Sequence, residues 1–209
     1  MPAPRTAPAY RIHTRRMVLR CWNPQDAPLL QAAINTSLEH LQAWMPWAMN
    51  EPEDILSKAE RLRRFRGDFD LDRDFVYGIF DREETRVLGG AGLHPRIGEG
   101  SLEIGYWIHK DRINQGLATE AAAALTKTAF ELHKVPRVEI HCDPRNTPSS
   151  RVPEKLGYRH EATLRQRALT PSGLPRDSMI WTLLTEEYPA SPSAVSEMEA
   201  FDVMGRRLI

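Results

Sequence analysis

The sequence has little that would hold it together covalently or place it in a membrane. Of its 209 residues only two are cysteine, Cys21 and Cys142, too few for a disulfide framework or a cysteine-based metal site. No apolar run approaches the length of a membrane span, and the basic N-terminal stretch lacks the apolar core of a signal peptide. Basic and acidic residues number 28 each, so net charge does not favour nucleic acid or a membrane as partner. We therefore expect a cytoplasmic protein.

The remaining composition fits one soluble domain. Hydrophobic residues make up 41% and charged residues 27% of the chain, which is an ordinary balance for a globular protein. A chain of 209 residues can bury one sizeable core. We predict a disordered lead over 1–14, a folded domain over 15–188 and a tail over 189–209 that includes a short amphipathic helix.

The order of periodic segments predicts a mixed α/β fold. It reads β-α-α-β-β-β-α-β-α-β-β, and the three central strand-like runs, 74–80, 86–94 and 101–108, are joined by short turns typical of an antiparallel meander. A helical stretch over 117–133 then leads to another strand at 137–142. This crossover requires a parallel strand pair. The expected architecture is a central mixed, mostly antiparallel sheet flanked by helices.

The junction before the long helix, NQGLATEA at 114–121, has two explanations. Gly116 allows the backbone to turn, and the alanine-rich sequence that follows is a good helix former. A small-residue loop that opens into a helix also directs free N–H groups and the positive end of the helix dipole at one point, where an anion can bind.

Two segments carry a family resemblance that bears on this choice. EIGYWIHKDRINQGLATEA (103–121) and CDPRNTPSSRVPEKLGY (142–158) resemble the GNAT acyl-CoA N-acyltransferases, in particular the RimJ/RimL-type ribosomal-protein N-terminal acetyltransferases. The tryptophan-containing run at 44–47 and the segment 177–188 are also similar to that branch. Two motifs at the right separation are more specific than one glycine loop. The resemblance implies the GNAT fold and acetyl-CoA as cofactor.

In this family the loop before the long helix wraps the coenzyme A pyrophosphate with backbone N–H groups. The pattern Arg/Gln-x-x-Gly-x-Gly/Ala aligns with 113–118, where Gly116 and Ala118 match. Ile113 departs from it, and Arg112 is the candidate substitute charge. The resemblance assigns cofactor contacts to Trp107, Ile108, Asn114, Gln115, Gly116, Leu117, Ala118, Thr119, Asn146, Ser149 and Arg151.

The second motif suggests a proton donor for the leaving thiol. Asn146 and Ser149 suit a helix cap, whereas the resemblance places Asn146 against the pantetheine arm and Ser149 near the thioester sulfur. Many relatives carry a tyrosine acid at the position of Pro153, so Ser149 is the acid candidate here. A nearby basic cluster is either a solvated face or the source of one contact to the cofactor 3′-phosphate; it comprises Arg145, Arg151, Lys155 and Arg159.

Glu103 is the candidate general base because its strand leads into the cofactor loop. Strand alternation puts it on the same side as Gly105 and Trp107. Its apolar sequence neighbours predict a raised pKa, which suits a base near neutral pH. The alternative is a sheet-face glutamate paired with an arginine. His94 and His109, at strand ends, are further base candidates or ordinary surface histidines.

Amide formation from a thioester needs a neutral amine, an activated carbonyl and a protonated leaving thiol, but no metal or cysteine nucleophile. A terminal amine, with a pKa near ~7.7–8.0, needs less help from a base than a lysine amine near ~10.4. The expected acceptor is a primary amine, either a protein N-terminus or a small molecule. Trp44 and Trp47 lie in the segment that shapes the acceptor pocket in the family; Glu103 is the other candidate acceptor contact, and core packing is the alternative for both tryptophans.

Two functions follow from these residues. The first is an acetyl-CoA-dependent N-acetyltransferase, favoured because both Glu103 and Ser149 are present. The second is a non-catalytic acyl-CoA-binding module of the same fold, suggested by the departures at Ile113 and Pro153. We also predict a homodimer held partly by the apolar residues of the tail, and neither a membrane nor a nucleic acid as partner.

Overall fold

The computed structural model describes residues 8–209; residues 1–7 of the predicted lead lie outside the described part of the chain. The nine strands are β1 Arg11–Thr14, β2 Val18–Cys21, β3 Phe75–Phe80, β4 Val87–His94, β5 Ser101–Ile108, β6 Arg137–Cys142, β7 Arg159–Leu169, β8 Pro175–Leu184 and β9 Met198–Phe201. The four α-helices are α1 Ala27–Gln42, α2 Ile55–Asp70, α3 Leu117–Glu131 and α4 Thr147–Lys155. Among residues 8–209, no helix combines the length and the apolar character needed to cross a membrane.

All nine strands belong to one sheet in the order β7-β8-β6-β5-β4-β3-β2-β1-β9. Strands β3, β4 and β5 form the predicted antiparallel meander. Strands β5 and β6 are parallel, with α3 as the crossover between them. The predicted mixed, mostly antiparallel sheet flanked by helices is therefore confirmed.

The parallel pairing of β5 and β6 is short. It covers three residue pairs, from Ser101↔Arg137 to Glu103↔Glu139. Beyond it, β5 stays paired with β4 as far as Ile108, and β6 stays paired with β8 as far as Cys142. The two strands therefore separate, and a gap opens in the sheet at the end that leads into α3.

The two sheet faces are covered by different helices. The larger core cluster includes alanine and leucine side chains of α3, such as Ala121 and Leu125, together with Val152 of α4. The smaller cluster joins Ile34 of α1 and Leu62 of α2 to residues of β3 and β4. The helix pair α1 and α2 thus lies on one face, and α3 and α4 cover the other.

The two chain ends differ from the sequence prediction. Arg11–Thr14 form β1, so the disordered lead predicted as far as residue 14 is wrong for these four residues. The tail contains β9, which pairs with β1, and the amphipathic helix predicted there is also wrong. A pairing that joins residues 198–201 to residues 11–14 has no local sequence signal, because a four-residue strand is too short to show periodicity.

Candidate active site

A cleft of about 450 Å³ occupies the gap between the separated strands. That volume lies within the range of about 300–1,000 Å³ that is usual for small-molecule sites. Its walls come from the end of β5, the loop before α3, the first residues of α3 and α4, and the segment around Trp44 after α1. The cleft therefore connects the two faces of the sheet.

The loop before α3 is shaped by two left-handed residues. Asn114 has φ 59° and Gly116 has φ 78°, and asparagine and glycine are the residues that adopt this conformation most readily. Gly116 is the N-cap of α3 and has no side chain with which to cap the helix. The first hydrogen bond of the helix runs from Glu120 N–H to the Gly116 carbonyl. The N–H groups of 117–119 precede it, lie at the cleft wall and suit an anion.

Arg16 supports this loop from a distant part of the chain. Its Nη1 donates to the Gln115 carbonyl at 2.7 Å, and its Nε donates to the Glu120 carboxylate at 2.6 Å. Thr14 Oγ1 also donates to Glu120. These contacts tie the loop and the first turn of α3 to the β1–β2 hairpin. Sequence reasoning missed Arg16, because nothing in its local sequence indicates a contact with a loop about a hundred positions away.

The basic residues near the cleft divide into two groups. Arg145 is paired with Asp143 at 2.6 Å, and Arg159 is paired with Glu187 at 2.7 Å, so these two belong to surface ion pairs. Arg112, Arg151 and Lys155 line the cleft. Their cationic side chains surround the same opening as the N–H groups of the α3 loop, which makes this end of the cleft suitable for phosphate groups.

The proline inside α4 creates a contact that the sequence prediction missed. Pro153 has no N–H and cannot donate to the carbonyl of Ser149, four residues earlier. Tyr106 of β5 donates to that carbonyl instead, at 3.1 Å. The Tyr106 hydroxyl also lies 3.3 Å from Ser149 Oγ. Both residues line the cleft, so a tyrosine hydroxyl lies beside Ser149 although the family position on α4 holds proline.

The electrostatic environment keeps the Tyr106 hydroxyl protonated. Burial raises its pKa above the ordinary value, and the contact with Ser149 opposes this only in part. Asn146 has the cap role that its residue type suggests, since its side chain accepts a hydrogen bond from Ser149 N–H at 3.2 Å. Asn146 also borders the cleft, so its cap role and a cofactor contact are compatible.

Glu103 has a different environment from the one predicted. Its carboxylate accepts two hydrogen bonds from Arg96, at 2.8 and 2.6 Å. Burial raises the pKa of this carboxyl, but the bidentate contact with the Arg96 guanidinium lowers it more, and the net pKa lies below the ordinary value. The predicted raised pKa is therefore wrong, and the arginine-paired glutamate is what the structure contains. The apolar sequence neighbours misled because the partner, Arg96, lies in the loop between β4 and β5, on the other side of this hairpin.

The other two base candidates lie in different surroundings. His94, on β4 opposite Glu103, places Nδ1 2.7 Å from Asp74. His109 caps the short turn after β5 by accepting from Asp111 N–H. Burial lowers the pKa of His109 below its ordinary value, and its ring is engaged as a cap.

The two tryptophans of the segment after α1 lie in different environments. Trp44 lines the cleft. Trp47 packs against the smaller core cluster, with its ring centroid 6.1 Å from that of Trp107. The core-packing alternative therefore describes Trp47, whereas Trp44 is available to a ligand.

Most of the predicted cofactor contacts come together in the cleft. Residues of the predicted site that line it are Trp44, Trp107, Ile108, Asn114, Gly116, Leu117, Ala118, Thr119, Asn146, Ser149 and Arg151. Gln115 does not line the cleft; its side chain donates to the Asp111 carbonyl. Glu103 is likewise outside the lining, on the face of the sheet that carries α1 and α2.

The sequence is similar to that of a known protein family. The family described as Acetyltransferase (GNAT) domain matches residues 16–159. The N-acetyltransferase YnaD of Bacillus subtilis is 32% identical over 179 residues, which cover 85% of this chain and 98% of YnaD. The ribosomal-protein-serine acetyltransferase of Escherichia coli is 25% identical over 129 residues, which cover 60% of this chain and 71% of that protein.

A solved structure shares the fold as well as the sequence similarity. Mycobacterium smegmatis RimJ, in complex with CoA-disulfide, superimposes with a TM-score of 0.75 at 25% identity, over 91% of this chain and 92% of RimJ. The resemblance to the RimJ/RimL-type branch, predicted from two short motifs, is confirmed.

Proposed function

We propose a specific reaction for this chain, which belongs to the GNAT acetyltransferase family: transfer of the acetyl group of acetyl-CoA to a primary amine. One observation carries the proposal. The same cleft joins the N–H groups at the start of α3 to the hydroxyl pair of Tyr106 and Ser149, through a gap that reaches the opposite face of the sheet. An anion-binding end, a proton-donating middle and an open acceptor side are what acetyl transfer requires.

The cofactor would lie along this cleft. The pyrophosphate would bind at the N–H groups after Gly116, where Arg112 adds positive charge. Arg151 and Lys155 are placed for the 3′-phosphate, and the pantetheine arm would run past Asn146 towards the gap. RimJ, whose structure was solved in complex with CoA-disulfide, supports this proposal, because its fold covers 91% of this chain.

The chemistry proceeds by direct attack. The acceptor enters as an ammonium, gives one proton to a base, and its nitrogen attacks the thioester carbonyl. A C–N bond forms and the C–S bond breaks. The sulfur leaves with the electron pair and is protonated from the Tyr106–Ser149 hydroxyl pair, which is replenished by the second proton of the amine nitrogen. The products are the N-acetyl amine, CoA thiol and one proton released to solvent.

Three carboxylates lie on or beside the sheet face that the gap opens onto, those of Asp74, Glu103 and Glu139. Glu103 is paired with Arg96 and Glu139 with Arg137, and the lowered pKa of Glu103 keeps it ionised. In this proposal Glu103 draws the acceptor ammonium to the face. The named activity of the Escherichia coli relative, acetylation of a ribosomal protein, supports a protein N-terminus as acceptor. A small-molecule amine is the other acceptor class.

An acceptor screen tests the proposal. The protein is incubated with acetyl-CoA and, separately, with short peptides bearing free N-termini, amino acids, polyamines and aminoglycosides, and free thiol is measured. The proposal predicts thiol release with at least one amine and, within that set, the fastest release with a peptide. Quenching of tryptophan fluorescence on CoA addition with no thiol release from any amine would instead indicate a non-catalytic acyl-CoA-binding module.

A further inference from the structure

His94 is held in a single orientation on the acceptor face. A carboxylate can only accept hydrogen bonds, so the 2.7 Å contact with Asp74 requires Nδ1 of His94 to carry the proton. In the neutral ring, Nε2 is then the unprotonated nitrogen. Within residues 8–209, Nε2 has no hydrogen-bond partner. The His94 side chain is 17% exposed, and that of Asp74 is 35% exposed.

The position of Nε2 is set by two glycines. A β-carbon at Gly92 would lie 2.5 Å from His94 Nε2, and one at Gly105 would lie 3.4 Å from it. The imidazole therefore packs over the two glycines, which have no side chains on this face of the sheet. Any larger residue at position 92 would occupy the space of the imidazole. Gly105 lies between Glu103 and Trp107 on β5, and Trp107 lines the cleft. His94 Nε2 thus points from the β4 side towards the gap.

Glu103 is directed the other way. Its two oxygens are taken up by Arg96, which lies two residues beyond His94 along the chain and therefore on the side away from the gap. Its Oε2 is 3.8 Å from His141 Nδ1. A carboxylate held ionised by the Arg96 guanidinium is a weak proton acceptor, although it still attracts an ammonium.

We infer that His94 is the general base that takes the proton from the acceptor amine, and that Asp74 is the positioning residue that fixes its tautomer. The inference rests on the proposed acetyl transfer and names the proton acceptor of that reaction. The ammonium N–H bond breaks, the proton moves to Nε2 of His94, and the nitrogen lone pair becomes free to attack the thioester carbonyl. The resulting imidazolium is stabilised by Asp74 and Glu103 before it releases the proton to solvent.

Variants of His94 and Glu103 should affect different kinetic constants, which distinguishes a base at His94 from a base at Glu103. His94→Gln should lower kcat by about 10²–10⁴-fold, the usual effect of one positioned base, with the KM for acetyl-CoA unchanged, because His94 lies outside the cofactor cleft. Glu103→Gln should mainly raise the KM for the amine. His160→Gln, an exposed histidine of β7, is the matched control and should retain wild-type kinetics.

The pH dependence of the rate distinguishes a base from a residue that only supports the structure, because loss of a structural contact would not change the shape of the profile. Asp74 contacts His94 directly, and Glu103 lies opposite it on β5 with Arg96 and His141 beside its carboxylate; none of these groups is changed in His94→Gln. The wild-type rate should rise with pH through one ionisation that His94→Gln lacks. A His94→Gln variant with the wild-type rate and profile, beside a Glu103→Gln variant that lacks the ionisation, would overturn the inference and leave the acetyl transfer standing.

The tautomer can be tested without turnover. The ¹⁵N spectrum of the His94 imidazole should show protonated Nδ1 and bare Nε2 in the wild-type protein. Asp74→Asn presents a donor amide to Nδ1 and should shift the proton to Nε2, with kcat lowered and CoA affinity retained. Protonated Nε2 in the neutral wild-type ring would overturn the inference even if no acceptor has been identified.

Discussion

At the scale of single residues, the end of the cleft that we propose binds the phosphate groups depends on backbone angles that most side chains disfavour. Gly116 has φ 78° and its amide begins the row of N–H groups at the start of α3. A left-handed residue with a β-carbon costs roughly 1–2 kcal/mol, and a β-branched one fits less well. The glycine is also close to Arg16, whose Nη2 would be 3.5 Å from a β-carbon there.

Gly116→Val should therefore abolish measurable CoA binding while the domain stays folded. The side chain would force the loop out of the left-handed conformation and move the N–H groups. Calorimetric titration with CoA measures the affinity. Gly173→Val is the control, since Gly173 has φ 82° with nothing within 4 Å of its β-carbon position, so it carries the same strain in the distant β7–β8 turn. Equal affinities for Gly116→Val and wild type would remove the loop from the site.

The hydroxyl pair gives a second prediction at this scale. Tyr106→Phe and Ser149→Ala should each lower kcat, with little recovery at high pH, because both act on the departing thiolate rather than on the amine. The serine effect should be the smaller, since a thiol of pKa near ~8.5 leaves with modest help. Coupling between contacting residues makes their effects non-additive, by roughly 0.5–3 kcal/mol. Steady-state rates of the two single variants and the double variant measure it; strictly additive losses would show that the two hydroxyls act independently.

At the scale of elements, a buried ion pair anchors α2 to the segment that precedes it. Lys58 is fully buried and donates to Glu51 at 2.5 Å. Burial raises the pKa of Glu51, but Lys58, Glu53 N–H and Arg61 lower it more, so the net pKa lies below the ordinary value. The helix therefore depends on one internal charge interaction in addition to its apolar stripe.

Lys58→Met should destabilise the fold by about 3–5 kcal/mol, because it removes the buried partner of the Glu51 carboxylate and leaves only Arg61, at 3.2 Å. Thermal or urea unfolding measures the loss. Arg63→Met is the control on the same helix: Arg63 pairs with Glu60 at 2.8 Å on the surface, and exposed pairs contribute at most about 1 kcal/mol. Similar losses for the two variants would contradict a special role of the buried pair.

The same pair predicts an acid dependence. Because the folded pKa of Glu51 is below its unfolded value, the pair adds stability above the ordinary pKa of 4.5, and this stability is lost as pH falls through the folded pKa. Unfolding free energies measured from neutral pH to below pH 4.5 should therefore fall less steeply for Glu51→Gln than for wild type at the acid end, below the ordinary pKa of 4.5. Parallel curves would exclude Glu51 as a source of acid sensitivity.

Elements formed by contiguous sequence were the predictable part of this structure. The β5–α3–β6 crossover follows from periodicity and glycine placement, which are local signals, and most of the cleft lining follows from the family resemblance of two motifs. Arg16 on Gln115, Arg96 on Glu103 and Tyr106 on the carbonyl freed by Pro153 join different elements. The last of these had a signal, since a proline always leaves the carbonyl four residues earlier without its helix donor. Arg16 had no such signal, and for Glu103 the sequence suggested an arginine partner without identifying which one.

At the scale of the whole molecule, the tail is part of the sheet. Met198 and Ala200 of β9 are buried in the larger core cluster, and β9 covers the edge of β1. Val203 and Met204 remain 58% and 75% exposed. Part of the apolar surface that suggested a homodimer is thus buried within the chain itself. The proposed dimer contact is reduced to the two exposed residues, Val203 and Met204.

A Val203→Ser, Met204→Ser double variant tests that proposal without removing β9. It should lower the mass found by light scattering from that of a dimer to that of a monomer, with little change in melting temperature. A chain ending at Ala190 is the contrasting variant: it should melt earlier because β1 loses its pairing with β9 and keeps only β2. An unaltered mass for the double variant would exclude these residues from an interface.

The central claim is that the cleft carries out acetyl transfer to an amine, and one measurement tests it most directly. Wild-type protein is mixed with acetyl-CoA and the best acceptor of the screen, and the CoA thiol and the N-acetyl product are quantified in the same samples over time, with Gly116→Val in parallel. The account predicts one N-acetyl amine for each thiol released, and neither product with the variant. Tight binding of CoA by the wild-type protein with no N-acetyl amine formed would contradict it.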